Sequence, residues 1–276
     1  MFKLALNAGH GLYTAGKRCT KALDPNETRE WWLNDRIADG IEKILAEYDG
    51  IEVLRIDDTT GKKDISLTSR TATANKWGAD LWFSLHHNAS KEKIFDGGGI
   101  VAFVHTSPSA ESLTWQRAFY DAVIDATGLK GNRATPLAKK NLAELRLTKC
   151  PAVLMEMGFM TSTVDVPIIL SEDYADKCAK AFAGVIIERA GLKKKAVVVP
   201  TATRYRVQVG SFAIKAYANA MLNKLVKKGF TGYVKTVTVD GKVRHRVQVG
   251  AFSNMSYATA MLSKLKAAGF NGYITN

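Results

Sequence analysis

The sequence predicts an α/β chain in two parts. The larger is a mostly parallel, twisted sheet covered by helices on both faces; the smaller is a C-terminal α+β domain of βαββαβ order with internal duplication. Three observations carry this. Up to residue 192, short apolar runs such as 80–85 and 151–155 alternate with stretches whose apolar residues recur every three or four positions. Arg206-Val-Gln-Val-Gly-Ser-Phe212 returns as Arg246-Val-Gln-Val-Gly-Ala-Phe252. Between these regions, Lys193–Thr203 is charged, then β-branched, then holds a proline, and reads as a linker.

Taken in order, Phe2–Ala8 is a short strand ended by Gly9-His10-Gly11, where flanking glycines suit a sharp turn that exposes an imidazole. Helix character begins near Arg29, with Leu33, Ile37, Ile41 and Leu45 as the inward stripe. Glu30 shares that inward side at the first turn, where the helix dipole favours a carboxylate but burial demands a partner. Glu52–Ile56 is the second strand, and Ser66 caps a helix carrying Leu67, Ala74 and Trp77. Asp80–Ser90 opens as a buried strand and ends in His86, His87 and Asn88. Strand alternation sets His86 with Ser84 and Asn88, and His87 with Phe83 and Leu85. Ile100–Val104 is a further strand, followed by a helix over 109–128 with Leu113, Trp115, Phe119 and Val123 inward. Pro151–Met155 delivers Glu156, and a helix over 174–190 closes the unit.

Behind the linker, repeats of about 204–240 and 244–276 each read strand, helix, strand. Tyr217, Met221 and Leu225 recur as Tyr257, Met261 and Leu265. Neither copy is long enough to bury much core alone, so the two should share one sheet.

Charge follows the same boundary. Of 39 basic and 26 acidic residues, fifteen basic and a single acid, Asp240, lie in 193–276. The excess of +13 therefore belongs to the tail, which is the candidate for contacting a polyanion: nucleic acid, anionic membrane or cell wall. No apolar run approaches the roughly 20 residues of a spanning helix, so membrane insertion is not expected. The start MFKLALNAGHG lacks the pattern of a signal peptide, so the expectation is a chain made in the cytoplasm that stays there unless released by lysis or another route. Three cysteines at irregular spacing (Cys19, Cys150, Cys178) fit neither a disulfide framework nor a zinc ribbon. A monomer is expected.

His10, Glu30, His86 and Glu156 each stand at a strand end or helix start. Two imidazoles and a carboxylate suit a catalytic zinc with a fourth position for water, and a further carboxylate could move that water's proton. No HExxH helix is present. Spacing alone leaves a metal site and a metal-free one equally open.

The ordered blocks Ala-Gly-His10-Gly, Glu30 with Asn34, Ser84-Leu-His86-His-Asn88-Ala and Glu156-Met-Gly158-Phe159 resemble the zinc-dependent N-acetylmuramoyl-L-alanine amidases of phage endolysins and bacterial autolysins. The resemblance spans nearly all of 1–192. It implies cleavage of the amide between the lactyl group of N-acetylmuramic acid and the first L-alanine of the peptidoglycan stem. It implies one Zn2+ per chain, with His10, Glu30 and His86 as ligands and Glu156 as the acid/base. Glu27 is the alternative to Glu30, and helix geometry favours Glu30. Asn88, Arg133 and His87 are the candidates for substrate contact, with His87 open as either a flanking pocket or a packing residue. The chain departs from the usual Asp-Pro-Gly-His-Gly opening, carrying Asn7-Ala8 before Gly9. That leaves the support of His10 open.

The tail resembles a SPOR domain, a peptidoglycan-binding module of duplicated RxQVGxF strands that favours glycan strands stripped of stem peptides. The candidate wall contacts are Gln208, Ser211, Phe212, Gln248 and Phe252, with core packing the stronger reading for the two phenylalanines. Nucleic acid is the competing partner for a basic βαββαβ sheet, but the strands lack the clustered aromatics on which bases stack. The setting implied is a phage endolysin or the autolysin of a sporulating mother cell.

Overall fold

The computed structural model describes residues 1–90, 94–131, 133–195 and 204–276. Contacts divide the chain into two compact units, Met1–Lys195 and Ala196–Asn276.

In chain order the first unit comprises β1 (Phe2–Ala8), α1 (Glu30–Leu45), β2 (Tyr48–Asp49), β3 (Ile51–Arg55), α2 (Leu67–Trp77), β4 (Leu81–Asn88), β5 (Ile100–Val104) and α3 (Ala110–Thr127). It continues with β6 (Leu137–Lys139), α4 (Ala143–Leu147), β7 (Ala152–Phe159), α5 (Val166–Ile169), α6 (Glu172–Arg189) and β8 (Lys193–Lys194). Six strands form one sheet in the order β3-β1-β4-β7-β5-β6. All neighbours run parallel except β5 and β7. The sheet is thus mostly parallel, as the alternating pattern implied.

Alternation along the strands sorts the core into two layers. Leu4, Leu6, Phe83, Leu85, Val153 and Met155 join the stripes of α1, α3 and α6 on one face. Ala5, Trp82, Val101 and Leu154 join Ala74 of α2 and Leu145 of α4 on the other. Ser66 and Ser109 cap α2 and α3 through their side chains, and Gly78 and Gly128 end those helices in left-handed conformations. Leu113 departs from expectation. It is 39% exposed, because Ser112 and Gln116 occupy the inward turn of α3 instead.

β8 corrects the linker boundary. Lys193 and Lys194 pair with Asp49 and Tyr48, and Lys195 N donates to Glu47 O, so the first three linker residues belong to the first unit. Positions 196–203 of that linker lie outside the described residues.

The second unit is β9 (Tyr205–Phe212), α7 (Lys215–Lys227), β10 (Tyr233–Val239), β11 (Lys242–Phe252), α8 (Met255–Ala267) and β12 (Tyr273–Thr275). Its four strands are antiparallel in the order β10-β11-β9-β12, the βαββαβ arrangement implied by the duplication. Paired valines from each copy (Val207 and Val209, Val247 and Val249) meet Ala218 and Leu225 of α7 and Ala258 and Leu265 of α8 in one shared core.

Candidate metal centre and active site

The site grows from the strand ends on the α2 and α4 side of the larger sheet. β1 closes with Gly9-His10-Gly11, and it is His10 itself, not a glycine, that turns through positive φ, at 68°. A non-glycine residue there costs on the order of 1 kcal/mol or more, so the turn must be held. Arg70, 1% exposed, donates to Asn7 Oδ1 (2.6 Å), Ala8 O (3.0 Å) and His10 O (2.8 Å). Asp57 Oδ1 accepts from Ala8 N at 3.1 Å, and Asn34 Nδ2 donates to Gly9 O at 3.2 Å. Gly9 is required by close approach, since a Cβ there would lie 2.1 Å from Cε1 of His86.

β4 carries His86 to the same point, and α1 begins there with Glu30, its amide donating to Lys17 O at 3.0 Å. Glu30 Oε1 lies 3.3 Å from His10 Nε2 and 3.2 Å from His86 Nδ1, and it accepts from His87 N at 3.2 Å. Lys17 Nζ stands 3.6 Å from the other oxygen. The ligand-capable atoms of His10, Glu30 and His86 all fall within 4.8 Å of one another. In a tetrahedral shell with bonds of about 2.0–2.1 Å, neighbouring donors stand roughly 3.3 Å apart, so spacing and donor set both fit zinc. Burial opposes charge on Glu30, but its bonds to the two imidazoles outweigh burial and hold the carboxyl far below the usual range. Burial likewise opposes charge on His86, yet Glu144 and Glu30 on either side raise it to about 10. A proton is thus retained where a cation would otherwise neutralise the carboxylates.

β7 lies beside β4 in parallel register, with Glu156 opposite His86, which puts both side chains on the same face about 5 Å apart at Cα. Burial pushes the Glu156 carboxyl up to about 7. Its Oε2 is enclosed and bonds no described residue.

The other expected residues divide. Asn88 and Arg133 line one cleft of about 290 Å³ with Phe95 and Phe159, the Arg133 guanidinium lying 5.1 Å from the Phe159 ring centre. Of the two places open to His87, a flanking pocket contacting substrate or a packing position, the structure gives it the second. Strand alternation turns it to the α1 face, where it is 2% exposed and its Nδ1 meets Asn34 Oδ1 at 2.7 Å. Burial lowers it to about 3, so it stays neutral. Glu27 pairs with Arg18 at 3.2 Å, away from the cluster, which leaves Glu30 as the carboxylate of the triad. Cys19 is buried, and its thiol is raised to about 12 by burial and by Asp24 and Glu30; the metal-capable group comprises His10, Glu30 and His86 without it.

In the second unit Gln208 and Gln248 face each other across β9 and β11, next to Tyr273 and Tyr233 on the outer strands. Gln208 Nε2 donates to Tyr273 Oη at 2.6 Å, and Ser211 is exposed. Phe212 and Phe252 pack against the shared core, each ring folded over the glycine two residues before it.

Sequence reasoning missed Glu144. This residue of the one-turn helix α4 is 4% exposed, with Oε1 3.4 Å from His86 Nε2. Its Oε2 accepts from Trp82 Nε1 at 3.3 Å and lies 3.5 Å from Asn7 Nδ2. Five helical residues give too short a period to reveal an inward carboxylate; the only signal was its place between Leu142 and Leu145.

A family model described as N-acetylmuramoyl-L-alanine amidase matches residues 4–188, and one described as SPOR domain matches 201–276. The chain belongs to the N-acetylmuramoyl-L-alanine amidase family. It is 30% identical over 235 residues to the sporulation-specific N-acetylmuramoyl-L-alanine amidase of Bacillus subtilis (strain 168), covering 85% of this chain and 84% of that protein. An endolysin of Bacillus phage SPP1 is 28% identical over 192 residues, 69% of this chain and 66% of its own. Among solved structures, the catalytic domain of CwlV, an amidase from Paenibacillus polymyxa, superposes with a TM-score of 0.61 at 23% identity, over 70% of this chain and all of that one. An amidase from Clostridium difficile 630 gives 0.61 at 23%, over 69% and 97%. These two likenesses establish the fold of the first unit.

Proposed function

We propose that the chain hydrolyses the amide between N-acetylmuramic acid and L-alanine in peptidoglycan, with zinc held by His10 Nε2, Glu30 Oε1 and His86 Nδ1. The observation that carries this is the convergence of those three atoms beside Glu156, a carboxyl balanced near neutrality. Zinc bound there would polarise the lactyl carbonyl and bring a water's pKa to about 7. Glu156 accepts a proton from the attacking water and returns it to the nitrogen of the departing L-alanine, a task suited to a carboxyl near pH 7. The Asn88–Arg133 cleft receives part of the substrate, with the guanidinium turned to an acidic group of the stem. Ser211, which is exposed, offers a hydrogen bond to glycan strands already stripped of peptide, while Gln208 and Gln248, 1% and 3% exposed, would act from beneath through the tyrosines beside them; such binding holds the enzyme where it has been cutting.

The names of the relatives support action on the wall after lysis, as an endolysin or a mother-cell autolysin. Among the described residues no helix is long and apolar enough to cross a membrane.

The test is zinc content of the purified protein beside His86→Ala, together with release of amino groups from purified Gram-positive walls. One zinc per chain, lost with His86, and new L-alanine amino termini are expected. Wall binding without zinc or new termini would sink the reading and leave a binding protein.

A further inference from the structure

His86 is gripped on both edges of its ring. Nδ1 faces Glu30 and His10, and the ring stands edge-on to His10 at 5.0 Å between centres. Gly9 leaves no room for it to swing toward β1. On the far edge Nε2 is buried and makes no well-aligned hydrogen bond to a described residue. The carboxylate of Glu144 stands nearest, at 3.4 Å. A neutral imidazole that gives one nitrogen to a metal carries its proton on the other, and that buried N–H needs an acceptor.

We propose that Glu144 is the positioning residue for His86: its carboxylate accepts the Nε2 proton, keeps Nδ1 bare, and aims that nitrogen at the ion. The inference rests on His86 being a ligand, as proposed above. Three features of this chain support it. Glu144 is itself fixed, by the Trp82 indole N–H and the Asn7 amide, so its oxygens are held in place before any ion arrives. It is 4% exposed, so its charge is not dissipated in water. Finally, position 7 is neutral. Where the usual opening has an aspartate, this chain has Asn7, whose amide oxygen takes Arg70 Nη1 at 2.6 Å while its nitrogen serves Ser84 Oγ at 2.8 Å and Glu144. An aspartate at 7 could not donate to Glu144, so the two residues belong together as a pair.

The experiment uses the full chain with Glu144→Gln, Glu144→Ala and His86→Ala. Zinc affinity is read by competition with a chelator, the ligand field by the visible spectrum of the cobalt-substituted protein, and folding by the melting temperature of the metal-free form. Glu144→Gln keeps an acceptor for Trp82 and should fold normally. Its zinc affinity should fall about 10–100-fold, with a shifted cobalt spectrum, and Glu144→Ala should fall at least as far. Zinc affinity within twofold of the parent in both variants would overturn the proposal, provided His86→Ala abolishes binding. If His86→Ala binds zinc normally, the ligand assignment fails first, and this inference with it. A measurement that needs no variant is nitrogen NMR of histidine in the zinc-loaded parent. His86 protonated at Nε2, with a slowly exchanging proton, is expected; a proton on Nδ1 overturns the proposal.

Discussion

The two larger sheets of this chain solve opposite problems. The larger one gathers its site from segments far apart in sequence: a turn after β1, the first residue of α1, the ends of β4 and β7, and a one-turn helix. Each contributes one ionisable group, none is duplicated, and most are buried. The smaller sheet builds its candidate site by repetition, with the buried Gln208 opposite the buried Gln248 and an exposed tyrosine beyond each. A site assembled from single copies should fail at one substitution. A duplicated one should weaken by halves.

The sharpest test of the first half of that contrast is Glu156→Gln. It should lower kcat on wall fragments by about 10³-fold while leaving glycan binding unchanged, measured by amino-group release and by co-sedimentation with walls. Loss of binding as well would show that the two sheets are not functionally separate.

A second test uses pH on metal-free protein. The Glu156 carboxyl is raised from 4.5 to about 7, so the folded form holds its proton longer than the unfolded chain does. Below pH 4.5 both forms are protonated. Between about 4.5 and 7 the unfolded chain alone ionises, so stability falls across that window and then levels off. The difference between parent and Glu156→Gln in urea unfolding should change over the window by at most about 3 kcal/mol. Glu30 has the opposite sign, since its carboxyl is lowered: its contribution is present above pH 4.5 and lost in more acidic solution. A flat difference curve would remove the argument for Glu156 as a base near neutrality.

The smallest effects belong to the repeated surface. Gln208→Ala and Gln248→Ala should each weaken binding to peptide-free glycan about fivefold, near 1 kcal/mol, and because the two are buried cross-strand neighbours the double variant should fall short of the product. Rates on soluble muropeptides should not move. If one glutamine carries all the binding, the duplication is structural only, and the comparison breaks on that side.

What the sequence disclosed follows the same division. His10, Glu30, His86 and Glu156 were legible because each punctuates a periodic element, where a polar side chain interrupts an apolar run. The duplicated sheet was legible because its repeat is written twice. Glu144 was hidden, because five residues of α4 carry no period and nothing local says which side meets His86. His87 reads from the sequence as a flanking pocket or packing residue, and the structure places it in the packing. Alternation had already separated it from His86, and packing on α1 decided the matter. The strained φ of His10 was also invisible, since glycines on both sides offered a cheaper place for the turn.

Asn34 draws out a last consequence. Gly9 O can only accept, so the Asn34 amide must point its nitrogen there and its oxygen at His87, which fixes the proton on His87 Nδ1. Direction, not shape, makes this link. Aspartate, the nearest isostere, would present an oxygen to an oxygen at Gly9 and release the turn that carries His10. A side chain identical in outline would fit the space and still leave the loop unlatched.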